Sequence, residues 1–247
     1  MTAFDEKLCL VVPCYNEESR LDVQKFLMFL NEFSDVDLIF VNDGSRDRTL
    51  DVLNHLKSNS NRIQVLSLNV NSGKAEAVRQ GTLAAFNLKY KYIGFWDADL
   101  ATPLSEVKGF MQTLDEKPEV HLVIGARVRL LGRKILRSWN RHYLGRVFGT
   151  FASVALNLAI YDTQCGAKIF RATETVHKVF NMPFHSRWIF DVEMIARLGA
   201  SGLPKSSIYE WPVQEWSDVK GSKVGAKAFL NAGFELVYLW FTYRPKW

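Results

Sequence analysis

Tyr92-Ile93-Gly94-Phe95-Trp96-Asp97-Ala98-Asp99-Leu100 decides how the rest of the chain is read. An apolar run closed by two carboxylates one residue apart reads as a buried strand that ends in an Asp-x-Asp loop. Side chains at i and i+2 of extended chain point the same way, so Asp97 and Asp99 aim at one point past the strand end. In open α/β sheets ligands bind outside that end of the strands. Paired carboxylates there suit a hard divalent cation, Mg²⁺ or Mn²⁺, carrying substrate phosphates. Asp is also a common turn residue, so the flanking chain has to support the reading.

It does so by alternation. Short apolar runs predict strands over residues 8–13, 37–41, 63–68 and 120–126 besides 92–96. Helical spacing predicts helices over 21–33 and 73–88, a helix capped by Ser45 that runs through Leu56, and another opened by Pro103. Strands alternating with helices imply an α/β fold with a mostly parallel sheet flanked by helices. In such a sheet three polar loops share one edge: Cys14-Tyr15-Asn16-Glu17, Asn42-Asp43-Gly44-Ser45 and Asp97-Ala98-Asp99. That convergence is the physical argument for a site. The second half is less regular. It predicts a basic loop over 127–137, a long helix over 138–160, a strand ending at Ile169-Phe170, a helix over 189–198 with Asp191 and Glu193, a strand over 207–213, and an aromatic-rich helix over 229–243.

Composition narrows the class. With 247 residues, 48% of them hydrophobic, the chain can bury a sizeable core. Cys9, Cys14 and Cys165 show neither zinc spacing nor a disulfide framework, and the five histidines show no ligand spacing. The segment from Met1 to Lys7 lacks signal-peptide character, and no apolar run reaches the roughly 18 residues of a spanning helix. The net charge of +5 is local. Arg127, Arg129, Arg133, Lys134, Arg137, Arg141 and Arg146 fall in residues 120–161 without an acidic residue among them, while elsewhere acidic residues slightly outnumber basic ones. That segment predicts an anionic partner; with no recognised nucleic-acid motif, nucleic acid is not expected.

Val11-Val12-Pro13-Cys14-Tyr15-Asn16-Glu17-Glu18, Asn42-Asp43-Gly44-Ser45-Arg46-Asp47-Arg48-Thr49, Asn71-Ser72-Gly73-Lys74-Ala75 and Asp97-Ala98-Asp99, in this order, resemble the family 2 glycosyltransferases of the GT-A fold. Arg137-Ser138-Trp139-Asn140-Arg141, Asp162-Thr163-Gln164-Cys165-Gly166 with Lys168-Ile169-Phe170-Arg171, Trp188-Ile189-Phe190-Asp191-Val192-Glu193 and Gly221-Ser222-Lys223 look like blocks of its dolichyl-phosphate (polyprenyl-phosphate) glucosyltransferase and mannosyltransferase group. The resemblance implies an inverting hexosyltransferase acting from a nucleotide sugar, UDP-glucose first and GDP-mannose second, onto a polyprenyl phosphate. The alternative is a family 2 enzyme with a soluble saccharide acceptor.

Roles follow from the same resemblance. Asp43 would read the nucleotide base, with Pro13, Tyr15 and Glu17 lining the base and ribose pocket. Asp97 and Asp99 would hold the metal, with Ala98 between them at the donor. Lys74, at a predicted helix N-terminus that favours anions, and Lys223, in a Gly-Ser loop, would approach the diphosphate. Arg127 is assigned to phosphate or sugar. Arg137 and Arg141, at i and i+4 on one helix face, would clamp the acceptor phosphate with Ser138. An acidic catalytic residue is expected at Asp191 or Glu193. Some relatives that use lipid phosphates have an acidic residue where this chain has Ala167. The expected catalytic set is Asp99, Arg127, Arg137, Arg141 and Asp191. Residues 1–225 would form the GT-A domain and 226–247 an amphipathic helix. Basic and aromatic positions mixed along the helices after Arg137 and at the C-terminus suit a membrane surface. The expected place is peripheral, on the cytoplasmic face, alone or with a spanning partner subunit.

Overall fold

The computed structural model of the protein describes residues 7–137, 139–218, 226–243 and 247, with side chains for all but 139–142 and 226–231. Its first elements are β1 (Leu8–Cys14), α1 (Val23–Glu32), β2 (Val36–Asp43), α2 (Thr49–Ser58), β3 (Ile63–Leu68), α3 (Lys74–Asn87) and β4 (Tyr92–Trp96). Then come α4 (Val107–Glu116), β5 (Leu122–Ala126), β6 (Lys134–Leu136), α5 (Trp139–Leu156), β7 (Ala167–Arg171), α6 (Glu174–Asn181), α7 (Phe190–Ala200), β8 (Ile208–Pro212), β9 (Glu215–Ser217) and α8 (Ala226–Tyr243). They fall into two units, Met1–Leu100 with Ala167–Pro183, and Ala101–Gly166 with Phe184–Trp247.

The first unit orders its strands β3-β2-β1-β4-β7. Leu8 of β1 lies opposite both Val36 of β2 and Tyr92 of β4, in parallel register, and β3 runs parallel to β2. Only β7 runs antiparallel, on β4. The chain leaves β1 for β2 and β3, then returns to the other flank of β1 for β4. That reversal opens a crevice at the carboxyl ends of β1 and β4. The strands read as continuous apolar runs because helices cover them; Leu8 to Val12 are wholly buried. Helix α3 comes close to β1 because residue 81 is glycine. A Cβ there would stand 2.4 Å from Val11 Cγ1.

Helix α1 opens at Val23, two residues after the expected start, with the Asp22 carboxylate accepting from Lys25 N at 3.1 Å. Helix α2 does not. It opens at Thr49 rather than after Ser45, because the Ser45 hydroxyl accepts from Asn16 N at 3.0 Å and so joins the β2 loop to the β1 loop. Gly44 before it has φ 60°, and a Cβ there would lie 2.5 Å from the carbonyl carbon of Val70.

In the second unit β5 pairs with β8 in parallel, Leu122 opposite Ile208. The stretch 127–137, expected as a loop, contains β6, which pairs with β9 through Ile135 opposite Trp216. These two side chains and Val213 form a small apolar core, which an alternation-based reading misses because β6 is only three residues long. The buried Glu106 carboxylate holds the β8–β9 turn by accepting from Trp211 Nε1 at 2.8 Å and Gln214 N at 2.5 Å. Helices α5, α7 and α8 pack against one another. No helix among the described residues is long and apolar enough to cross a membrane.

Substituting Gly44→Ala places an L side chain at positive φ against the Val70 backbone. It is expected to lower the unfolding free energy by ~2 kcal/mol, read from urea denaturation, whereas an unchanged midpoint would show that the two loops separate freely.

Candidate active site

Four loops meet at the sheet edge around a cavity of ≈ 390 Å³. The first supplies Pro13, Cys14, Tyr15, Glu17 and Arg20, the second Asp43, the third Asn71, Gly73, Lys74 and Ala77, the fourth Asp97, Ala98 and Asp99. All eight sequence-derived donor residues of this unit therefore line one crevice: Pro13, Tyr15, Glu17, Asp43, Lys74, Asp97, Ala98 and Asp99.

Hydrogen bonds between loops shape it. Asp43, only 2% exposed, accepts from Ser72 N at 2.7 Å, Gly73 N at 2.8 Å and Asn71 Nδ2 at 2.9 Å. Its carboxylate thus fixes the turn into α3. Glu17 N donates to Thr49 Oγ1 at 2.8 Å, and Arg46 N donates to Asn16 Oδ1 at 2.9 Å. Arg48 Nε donates to Glu18 Oε1 at 2.7 Å. Much of the two motifs is therefore cross-linking between loops. After Asp99 the chain turns sharply at Leu100, φ 50°, with Leu100 N donating to Asp97 O at 3.1 Å.

Four carboxylates, Glu17, Asp43, Asp97 and Asp99, and two cations, Arg20 and Lys74, share the crevice. Arg20 grips Glu17 with two bonds, 2.8 Å from Nε and 2.7 Å from Nη2. Burial pushes the Glu17 carboxyl up; Arg20 opposes this, while Asp99 and Asp97 add to it. The Lys74 ammonium pairs with Asp97 Oδ1. Sequence reasoning missed Arg20, although Glu17 three residues earlier is the signal for such a pair. No cluster of three or more His, Cys, Asp or Glu among the described residues could close a metal cage. Asp97 and Asp99 fit a different kind of centre, an open oxygen site completed by phosphate oxygens and water.

The second unit holds the remaining candidates. Arg127, expected to meet phosphate or sugar, directs Nε and Nη2 at Asp162, 2.6 and 2.8 Å away. Its guanidinium lies 5.2 Å from the Trp216 ring centroid, and that of Arg137 6.0 Å from the same ring. Burial raises the Asp162 carboxyl, but Arg127 and, more weakly, Arg137 outweigh this and hold it down at about 2. Glu210 accepts from Tyr161 N and Asp162 N, each at 2.9 Å; its carboxyl is raised by burial, with those two N–H groups opposing. Nothing in the sequence marks Glu210, because its partners are backbone groups far along the chain. Arg146 stacks on Tyr161 at 3.7 Å.

Asp191 is buried in the first turn of α7. Glu193, the alternative to it as an acidic catalytic residue, is wholly buried and accepts from Arg197 Nη2 at 2.7 Å, the Tyr243 hydroxyl at 2.9 Å and Ser186 N at 3.0 Å. Those bonds make it a tie between α7 and α8. Ser138 and Lys223 lie outside the described residues, and Arg141 falls in α5 without a described side chain.

Comparison with known proteins adds a second line. The family model "Glycosyl transferase family 2" matches residues 9–175. Among similar proteins, the dolichyl-phosphate beta-glucosyltransferase of Dictyostelium discoideum is 33% identical over 234 residues, 88% of this chain and 68% of that one. The enzyme of the same name from Homo sapiens is 31% identical over 250 residues, 95% of this chain and 75% of that one. In structure, the chain is similar to Mycobacterium tuberculosis glucosyl-3-phosphoglycerate synthase, with TM-score 0.68 and 16% identity over 95% of this chain and 79% of that one. A crystal structure of that synthase with Mn²⁺ and UDP-glucose aligns at TM-score 0.65 and 17% identity, covering 95% of this chain and 78% of that one. At such identities the likeness concerns the fold, an α/β fold of GT-A type.

The Asp162 pair gives a pH signature. Its carboxyl is held at about 2 in the folded protein against 3.8 ordinarily. The stabilisation is therefore complete from about pH 5 upward and lost progressively as pH falls toward 2, ~2 kcal/mol from this group. Urea denaturation at pH 5 and pH 2.5 should show that loss in the native chain and a smaller one in Asp162→Asn.

Proposed function

The chain belongs to glycosyl transferase family 2, and we propose that it transfers glucose from UDP-glucose to dolichyl or a related polyprenyl phosphate, with inversion, using a divalent cation. One observation carries the acceptor and the sugar. Similarity to dolichyl-phosphate beta-glucosyltransferases runs over 88–96% of the chain, beyond residue 175 where the family match ends and through the basic segment.

The crevice supports the donor side. Tyr15 offers an aromatic face to the base. Asp43 holds the Asn71–Gly73 turn and lines the same space, so one carboxylate both shapes the loop and contacts the base. A Mg²⁺ or Mn²⁺ ion held by Asp97 and Asp99 would neutralise charge building on the departing nucleoside diphosphate. Lys74, at the start of α3, adds an ammonium where a helix N-terminus already favours anions.

The acceptor brings its own nucleophile. A phosphate monoester has its second pKa near about 6, so its oxygen attacks the sugar's anomeric carbon without a protein base. One in-line displacement then inverts that carbon. This agrees with Ala167 standing where some relatives have an acid, and with Glu193 being engaged between helices. In this reading Arg137 and Arg141, with Ser138, bind the acceptor phosphate through guanidinium forks. Asp162 fixes the orientation of Arg127, whose guanidinium shares the Trp216 ring with that of Arg137. The roles expected of Asp191, toward the sugar or the basic segment, and of Lys223, toward the diphosphate, belong to the same proposal.

Attachment to the lipid is peripheral, on the cytoplasmic face. Helix α5 exposes Tyr143, Leu144, Val147, Phe151 and Val154, and α8 exposes Phe234, Val237, Trp240 and Phe241. Such apolar faces suit the interfacial layer of a bilayer, and nearby basic residues add roughly 1 kcal/mol each over anionic lipid.

The decisive experiment incubates purified protein with Mn²⁺, dolichyl phosphate in detergent, and UDP-glucose beside GDP-mannose. Lipid-linked glucose is expected from UDP-glucose alone, abolished by chelator and reduced about a hundredfold or more in Asp99→Asn. Metal-dependent turnover that needs a soluble saccharide and ignores the lipid would overturn the acceptor assignment.

A further inference from the structure

The two cations of the crevice are held differently. Arg20 makes two bonds to Glu17 three residues away on its own loop. Lys74 pairs through its ammonium with Asp97, on a different loop, and both side chains are about one-third exposed, at 37% and 34%. Lysine is a point charge on a flexible stem, whereas arginine's fork commits it to one partner. Lys74 follows Gly73, φ 96°, at the first position of α3, so its stem reaches into the crevice from a helix end. Asp97 is tied into the Asp97–Leu100 turn. Of the pair, Lys74 is the side chain able to move.

Its ammonium also occupies the wrong place for a static donor ligand. It stands on one of the two carboxylates that fit a divalent cation. A cation and an ammonium on the same carboxylate repel at short range, while a diphosphate offers several oxygens to an ammonium released nearby. We propose that Lys74 is an exchangeable counter-ion: it balances Asp97, yields that carboxylate to a divalent cation, and transfers its ammonium to the diphosphate that the cation carries. The inference rests on the nucleotide-sugar reading above.

The exchange makes metal and nucleotide binding cooperative. Before nucleotide arrives, Lys74 competes with the metal for Asp97. Once nucleotide is present, the displaced ammonium gains a stronger partner, so each ligand raises affinity for the other by the same factor.

The test uses the full chain with Lys74→Met and Lys74→Gln, two truncations of a partly exposed side chain that open no cavity. Electron paramagnetic resonance measures Mn²⁺ binding, and calorimetry measures UDP binding. Without UDP, both variants are expected to bind Mn²⁺ about fivefold more tightly than the native chain, the worth of one partly exposed ion pair. At saturating Mn²⁺ they are expected to bind UDP about tenfold more weakly, having lost one charge-assisted contact. Unchanged Mn²⁺ affinity would overturn the exchange. Tighter Mn²⁺ with unchanged UDP affinity would also overturn it, leaving a fixed ion pair. If the native chain binds neither Mn²⁺ nor UDP, the nucleotide-sugar reading itself fails; if it binds both and the variants match it, only the exchange fails.

Discussion

Burying a carboxylate is costly unless donors surround it, and Asp43 meets that constraint by collecting three donors from a single turn, Asn71 to Gly73. The consequences spread from there. The turn sets where α3 begins, and so where Lys74 can reach Asp97. Gly44, beside Asp43, lets Val70 and Asn71 approach where any Cβ would collide. Ser45 and Thr49 then fasten the β1 loop through Asn16 and Glu17. Three crossover loops that are distant in sequence become one rigid rim. A rim held by its own hydrogen bonds leaves little loop backbone to organise around Asp97 and Asp99 when a ligand arrives, while the Lys74 side chain is still able to exchange.

The same rule operates in the second unit with other acids. Asp162 receives Arg127, Glu210 receives two backbone N–H groups, Glu106 receives Trp211 and Gln214, and Glu193 receives Arg197, Tyr243 and Ser186. Each joins elements that are not neighbours in sequence. The basic segment consequently presents less charge than its residue count suggests, because Arg127 is paired with Asp162. A local charge count is thus an upper limit on the field that an anionic partner meets.

Reading the sequence recovered the elements that depend on periodicity. The strands β1 to β5, the helices between them and the shared edge of the β1, β2 and β4 loops all follow from alternating apolar patterns, since burial of one face is a local requirement. It went astray where a polar side chain had a choice of partners. Ser45 looks like a helix cap but bonds Asn16, and α2 waits until Thr49. Residues 127–137 look like a loop because β6 is short and finds its partner in β9, some eighty residues on.

By itself the sequence determined the α/β class, the Asp-x-Asp position at a strand end and the family, because these rest on spacing and residue type. It could not assign partners to charges. Hydrogen-bond and ion-pair partners are set by three-dimensional proximity, and one carboxylate is chemically like another until the fold brings a donor to it. Only the tertiary structure decided that Asp43 holds a turn, that Glu193 ties two helices, that Asp162 takes Arg127, and that Asp97 keeps Lys74 as its counter-ion.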